Sequence, residues 1–131
     1  MQGTTRVPDD FEARIRVLSR AEGGRQSPPR NGIRWDFAYA SEKGGLALFM
    51  IWPLFLGQDG QPLPDGDELP VGPWLQARMT IVNDALRVSE HRARISEGVC
   101  FHCHEGPHVV AVGEVTRVTG LHRDRSAPVP R

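Results

Sequence analysis

The sequence has no apolar run long enough to cross a membrane as a helix. Its most apolar stretch, Leu46 to Leu56, is 11 residues and contains Pro53, well short of the roughly 20 residues that a spanning helix needs. A soluble protein with no membrane partner is expected. Charge of one sign is lacking too: sixteen Lys and Arg stand against sixteen Asp and Glu. The overall balance therefore steers the chain neither to nucleic acid nor to an anionic membrane, and any such contact must come from a local patch. The opening MQGTTRVPDDFEAR has no basic start followed by an apolar segment, so a secretory signal is not read there and a cytoplasmic location is the expectation. Cysteine is scarce. Cys100 and Cys103, three apart in a strand, point to opposite faces about 10 Å apart and cannot bond each other; free thiols in a reducing compartment follow. Two chemical signatures are missing as well, the Gly-x-x-x-x-Gly-Lys-Ser/Thr loop of nucleotide binding and the Gly-x-Ser-x-Gly nucleophile elbow. GTP binding, a cofactor and enzymatic catalysis are accordingly not expected.

What is present is strand pattern. At 131 residues the chain suits one domain, burying somewhat under ~70% of the surface its unfolded form would expose. In Phe11 to Val17, FEARIRV, apolar residues alternate with Glu12, Arg14 and Arg16, the mark of a half-buried strand. Gly23 and Gly24 then let the backbone make a sharp exit. The segment AEGGRQSPPRNG from Ala21 to Gly32 is too broken for a regular element and reads as an exposed loop. Ile33 to Ala40 reads as an aromatic-rich strand, Leu46 to Trp52 as a buried strand stopped by Pro53, and Pro53 to Pro73 as irregular chain. Trp74 to Val82 alternates again. Asn83 to Glu97 lacks glycine and proline, and Ala85, Leu86, Val88 and Ala93 would make one or two weakly amphipathic helical turns. Val99 to Glu105 and His108 to Val118 make a hairpin across Gly106-Pro107.

About six strands without a long helix predict an all-β fold, a single closed antiparallel barrel of Greek-key type, because closure removes exposed strand edges. The expected layout is a flexible N-terminus over 1–9, the barrel over 10–119 and a flexible tail over 120–131. Its core is expected to contain Phe11, Ile15, Val17, Phe37, Leu48, Met79, Ile81, Val110 and Val112. Trp35, Trp52 and Trp74 belong with the core or the barrel lid rather than with a base-stacking platform.

Two side-chain groupings carry candidate chemistry. Cys100, His102 and His104 fall at alternate strand positions, so one face would present a thiol and two imidazoles, with His91 or His108 as a fourth zinc ligand. The alternative is a strand face that merely carries histidines. Arg14, Arg16, Arg25, Arg30 and Arg34 cluster in the first two strands and their loop. Drawn together they would bind phosphates or an acidic partner; interleaved with Glu12, Glu22 and Asp36 they would be a solvated face.

The front segments FEARIRVLSRAEGGR and NGIRWDFAY, the Leu69-Pro70-Val71-Gly72-Pro73 turn and the closing FHCHEGPHVVAVGEV together resemble the C-terminal β-barrel domain of elongation factor Tu. The resemblance runs from about Phe11 to Val118. It implies the barrel fold and no chemistry of its own, since in that family the domain packs against a GTPase domain and a second barrel and helps to hold the T stem of aminoacyl-tRNA. The family's RNA-facing positions fall on Arg25, Gln26, Asp36, Ser41 and the Glu105-Gly106-Pro107 turn. Here Gln26 stands for a histidine, Asp36 adds a carboxylate that repels phosphate, and Pro107 lacks a donor N–H. A stand-alone protein-interaction module, possible through Arg25, Gln26, Arg30, Arg34, Ser41, Glu105 and Gly106, is thus expected ahead of tRNA or other structured-RNA binding, with metal binding at Cys100, His102 and His104 third.

Overall fold

The computed structural model describes residues 8–42 and 44–130. Six antiparallel strands, β1 (Phe11–Val17), β2 (Asp36–Tyr39), β3 (Ile51–Leu56), β4 (Trp74–Ile81), β5 (Cys100–Glu105) and β6 (His108–Val118), form one sheet in the order β2-β5-β6-β1-β4-β3. The first strand is therefore central. It pairs with β4 on one side and with the last strand on the other, and all four of its apolar residues, Phe11, Ala13, Ile15 and Val17, are fully buried.

The sheet curls without closing. Edge strand β2 meets the chain just before the other edge strand, β3, at an isolated bridge, where Phe37 and Phe49 exchange two backbone hydrogen bonds of 2.8 Å. Closure fails because other chain already occupies the outer edge of β3. Leu63 N donates to Phe55 O at 3.0 Å, and Asn31 Oδ1 accepts from Phe55 N at 3.4 Å while its Nδ2 donates to Leu63 O at 2.7 Å. The proline-rich and glycine-rich loop thus satisfies edge groups that a closing strand would have taken. A half-barrel, not a closed barrel, is the result.

The same edge explains why the third strand starts at Ile51 rather than Leu46 and runs through Pro53. The backbone of Phe55 turns its N–H and C=O away from β4, so Pro53, two residues earlier, has its missing donor on the free edge where none is needed. Leu48 then lies before the strand and is exposed, which removes it from the expected core, and Val112 is half-buried on the outer side of β6. The other seven expected core residues are buried. Phe11, Phe37 and Phe101 pack ring against ring at its centre, Phe37 stacked on Phe101 at 4.6 Å.

Between β4 and β5 the chain is helical over residues 84–94, as α1 (Asp84–Leu86), a π turn (Arg87–His91) and α2 (Arg92–Arg94). Asn83 caps it by accepting from Leu86 N at 3.0 Å. Its inner face is not the apolar one: Ala85, Leu86, Val88 and Ala93 are exposed, while Arg87 and His91 are buried. The chain after β6, expected as a flexible tail, packs back over the sheet end with Leu121 fully buried. At the other terminus, residues 1–7 of the expected flexible segment lie outside the described residues. No described helix is long and apolar enough to cross a membrane.

Candidate functional site

The loop after β1 is built from local rules. Ser19 and Glu22 form a reciprocal capping box around the short 3₁₀ turn Arg20–Glu22, and Gly23 follows at φ 92. Gly24 is required for a different reason. A Cβ there would lie 2.3 Å from Leu18 O, so the close backbone approach, not the dihedral, excludes a side chain.

This geometry brings Arg25 onto the β5–β6 turn. Arg25 Nε lies 2.8 Å from Glu105 Oε2, and the same oxygen accepts from Trp35 Nε1 at 2.9 Å. The imidazole Nε2 of His108 meets Gly23 O. Arg25, Gln26, Glu105 and Gly106 are therefore brought together, with Gln26 and Gly106 exposed. Arg30 stands nearby on a shallow hollow shared with Arg25, Ser27 and Pro28, and its guanidinium donates to Gly66 O at 2.8 Å. Arg34 lies over the Trp52 indole at 4.2 Å. Ser41 is at the opposite end of β2, since Asp36 pairs with His104 and Tyr39 with Phe101. It joins none of the others.

The five arginines do not pool their charge. Arg14 pairs with Glu114 at 2.7 Å, Arg16 with Glu22 at 3.0 Å and Arg25 with Glu105. Three of the five are thus neutralised, while Arg30 donates to Gly66 O and Arg34 stacks on Trp52, neither with an ion-pair partner among the described residues.

On β5 a bulge between Cys103 and His104 puts both of these side chains inside. Cys100 is exposed, and the His102 and His104 rings are 6.3 Å apart. His104 Nδ1 lies 3.2 Å from Gly106 O. Burial, then the neighbouring His104, push the pKa of His102 down. Among the described residues no three His, Cys, Asp or Glu are placed to hold an ion, so the metal alternative has no geometric support.

What the sequence pattern missed is the polar interior beneath the helical segment. Arg87 and His91, one helical turn apart, both point inward. His91 Nδ1 is 2.7 Å from the Tyr39 hydroxyl, its ring meets Phe49 edge to face at 4.6 Å, and Arg94 covers the Tyr39 ring at 3.8 Å. Burial pushes the pKa of His91 down to about 4 and that of Tyr39 up. The imidazole is neutral near pH 7 and helps to fasten the helix to β2. The i, i+4 spacing of Arg87 and His91 was the available signal, but it reads equally as the wet face of a helix.

Because those two polar side chains take the inside, apolar ones are left outside. Leu86 and Val88 are 37% and 47% exposed. The neighbouring run before β3 does the same: Phe49 turns in against His91, Val82 N donates to Met50 O at 3.0 Å, and Leu46, Leu48 and Met50 face solvent. Comparison with known protein families and with curated proteins finds no match to this chain.

Proposed function

We propose that the protein is a non-enzymatic interaction module that docks a protein partner through the apolar surface of the helical segment and the adjoining 46–50 run. The observation that carries this reading is the inverted helix, which buries Arg87 and His91 and displays Leu86 and Val88. Placing two polar side chains inside and two large apolar ones outside runs against the hydrophobic gradient, and exposed apolar groups of this kind mark interaction surfaces. The resemblance to the C-terminal domain of elongation factor Tu, a domain that packs against other protein domains, supports the same class of role and suggests a link to translation in the cytoplasm. RNA ranks lower. Of the arginines such a contact would use, Arg25 is paired with Glu105, Arg30 is engaged with Gly66 and Arg34 is stacked on Trp52.

The test compares two surface variants for capture of partners from native lysate. Leu86→Ser with Val88→Ser should lose the specific partner while keeping the circular dichroism spectrum and melting temperature. Arg25→Ala with Arg30→Ala should keep it. The reverse pattern would move the docking surface to the loop after β1, and a partner retained by both variants would sink the proposal.

A further inference from the structure

The chain that follows β6 folds across one end of the sheet and is fixed there from below. Arg87 donates to Gly120 O at 2.7 Å and to Arg123 O, and Arg92 donates to Leu121 O at 2.8 Å. Gly120 is needed in this path, since a Cβ on it would lie 2.6 Å from Asp9 O. Between this segment, the end of β6 and Pro8-Asp9 lies a cavity of about 570 Å³, within the roughly 300–1,000 Å³ typical of small-molecule sites.

Its wall is electrically lopsided. Four arginines, Arg87, Arg117, Arg123 and Arg125, contribute to it against two aspartates, Asp9 and Asp124. Both aspartates are occupied: Asp9 accepts from the Thr119 hydroxyl at 2.6 Å and Asp124 pairs with Arg92 at 3.1 Å. Behind the wall, the guanidinium groups of Arg87 and Arg125 share the single buried carboxylate of Asp10. The next acid, Asp84, is half exposed, with Oδ1 3.3 Å from Arg87 and 3.9 Å from Arg125. Arg125, with its side chain 5% exposed, leaves Nε without an acceptor. A buried donor in that state is costly, more so on a charged group. At the rim Arg117 and Arg123 are exposed and have no ion-pair partner among the described residues.

We infer that this cavity is a binding site for a small phosphate-bearing molecule, contacted by Arg117 and Arg123 at the rim with the unpartnered Nε of Arg125 behind them. Two unpaired guanidiniums match a dianion better than a single carboxylate, because each offers a planar pair of donors to phosphate oxygens. The volume exceeds what a phosphate alone would fill, and Pro8, Val118 and Ala127 line the remainder. The ligand therefore has an apolar body of modest size, which makes a phosphomonoester the fitting class.

The test is isothermal titration of the full chain with phenyl phosphate, inorganic phosphate and benzoate, followed by thermal shift at saturating ligand. Saturable binding of phenyl phosphate is expected at least about tenfold tighter than that of either comparison anion, with a rise in melting temperature by mass action. Arg117→Ala with Arg123→Ala, which breaks no ion pair of the described chain, should weaken it about tenfold or more at unchanged circular dichroism. Arg25→Ala with Arg30→Ala should leave it unchanged. Equal binding of inorganic phosphate would restrict the site to the free anion and overturn the phosphomonoester assignment. Absence of saturable binding below about 10 mM, or binding indifferent to the Arg117 and Arg123 substitutions, would overturn the site itself.

Discussion

Arg87 Nε lies 2.6 Å from Asp10 Oδ1, with both side chains almost wholly withdrawn from water. The second oxygen of the same carboxylate accepts from Ile81 N at 2.7 Å and pairs with Arg125. Residues from before β1, the end of β4, the helical segment and the chain after β6 thus converge on one carboxyl group. Removing it leaves two buried guanidiniums with only the half-exposed Asp84. Asp10→Ala is expected to lower unfolding free energy by about 3–5 kcal/mol, the usual cost of leaving a buried charge unpaired. Asp10→Asn, which retains an acceptor for Ile81, should lose less. Urea denaturation of the three proteins at constant m value decides this.

Acid should act on the His91 contact. Its folded pKa, about 4, lies below the ordinary histidine value because burial disfavours the imidazolium. Above about pH 6.5 the ring is neutral folded and unfolded, so it contributes no pH dependence. As pH falls from there towards 4, the unfolded chain binds the proton and the folded one does not, so stability declines by on the order of 2 kcal/mol. The groups facing the ring, Tyr39, Phe49, Glu90 and Arg94, include one acid, and Glu90 is engaged with Arg94 at 2.8 Å. Nuclear magnetic resonance titration should show one histidine neutral down to about pH 4. His91→Gln should flatten the stability profile between pH 6.5 and 4 relative to the native chain; an equal slope in both would refute the assignment.

Gly113 faces the flat of a ring. A Cβ on it would lie 2.3 Å from Phe101 Cζ and 2.5 Å from Cε1, and Phe101 sits at the centre of the aromatic cluster. Gly113→Ala should cost about 1–3 kcal/mol through overpacking. Phe101→Leu in the same chain should show favourable coupling with it, measured as a double-mutant cycle by chemical denaturation.

The two thiols should differ in reactivity. Cys103 is buried, and burial pushes its pKa up to about 12, whereas Cys100 is exposed. Titration with a chromogenic disulfide at pH 8 should therefore label one thiol per native chain and two after denaturation. Native labelling of both would show that β5 opens readily.

Where a strand has one wet and one dry face, the amino-acid pattern discloses it directly: β1, β4 and the hairpin across Gly106-Pro107 have the bounds or near-bounds that alternation and turn chemistry imply. The pattern misleads where a residue's usual meaning is overruled by position. Pro53 reads as a stop but lies within an edge strand, and the closing of the barrel is forestalled by Asn31 and Leu63, which bond to Phe55 from distant loops. Nothing in the neighbours of Arg87, His91 and Asp10 announces their buried contacts, because Asp10 meets Arg87 and Tyr39 meets His91 across long stretches of sequence. The candidate loop was half visible: Arg25 and Glu105 do meet, but as a pair with each other, and Ser41 lies a strand's length away.

The central place of β1 has a consequence for synthesis. Glu12 pairs with Arg117, about a hundred residues further along the chain, so during synthesis β1 must wait for β6. At ordinary elongation rates that interval is roughly 5 to 20 s. During it, β1 has β4 on one hydrogen-bonding edge and no strand on the other. Long-range pairings of this kind also slow folding after release. A chain halted shortly before β6 would therefore keep that edge of β1 open as a template for pairing with another strand.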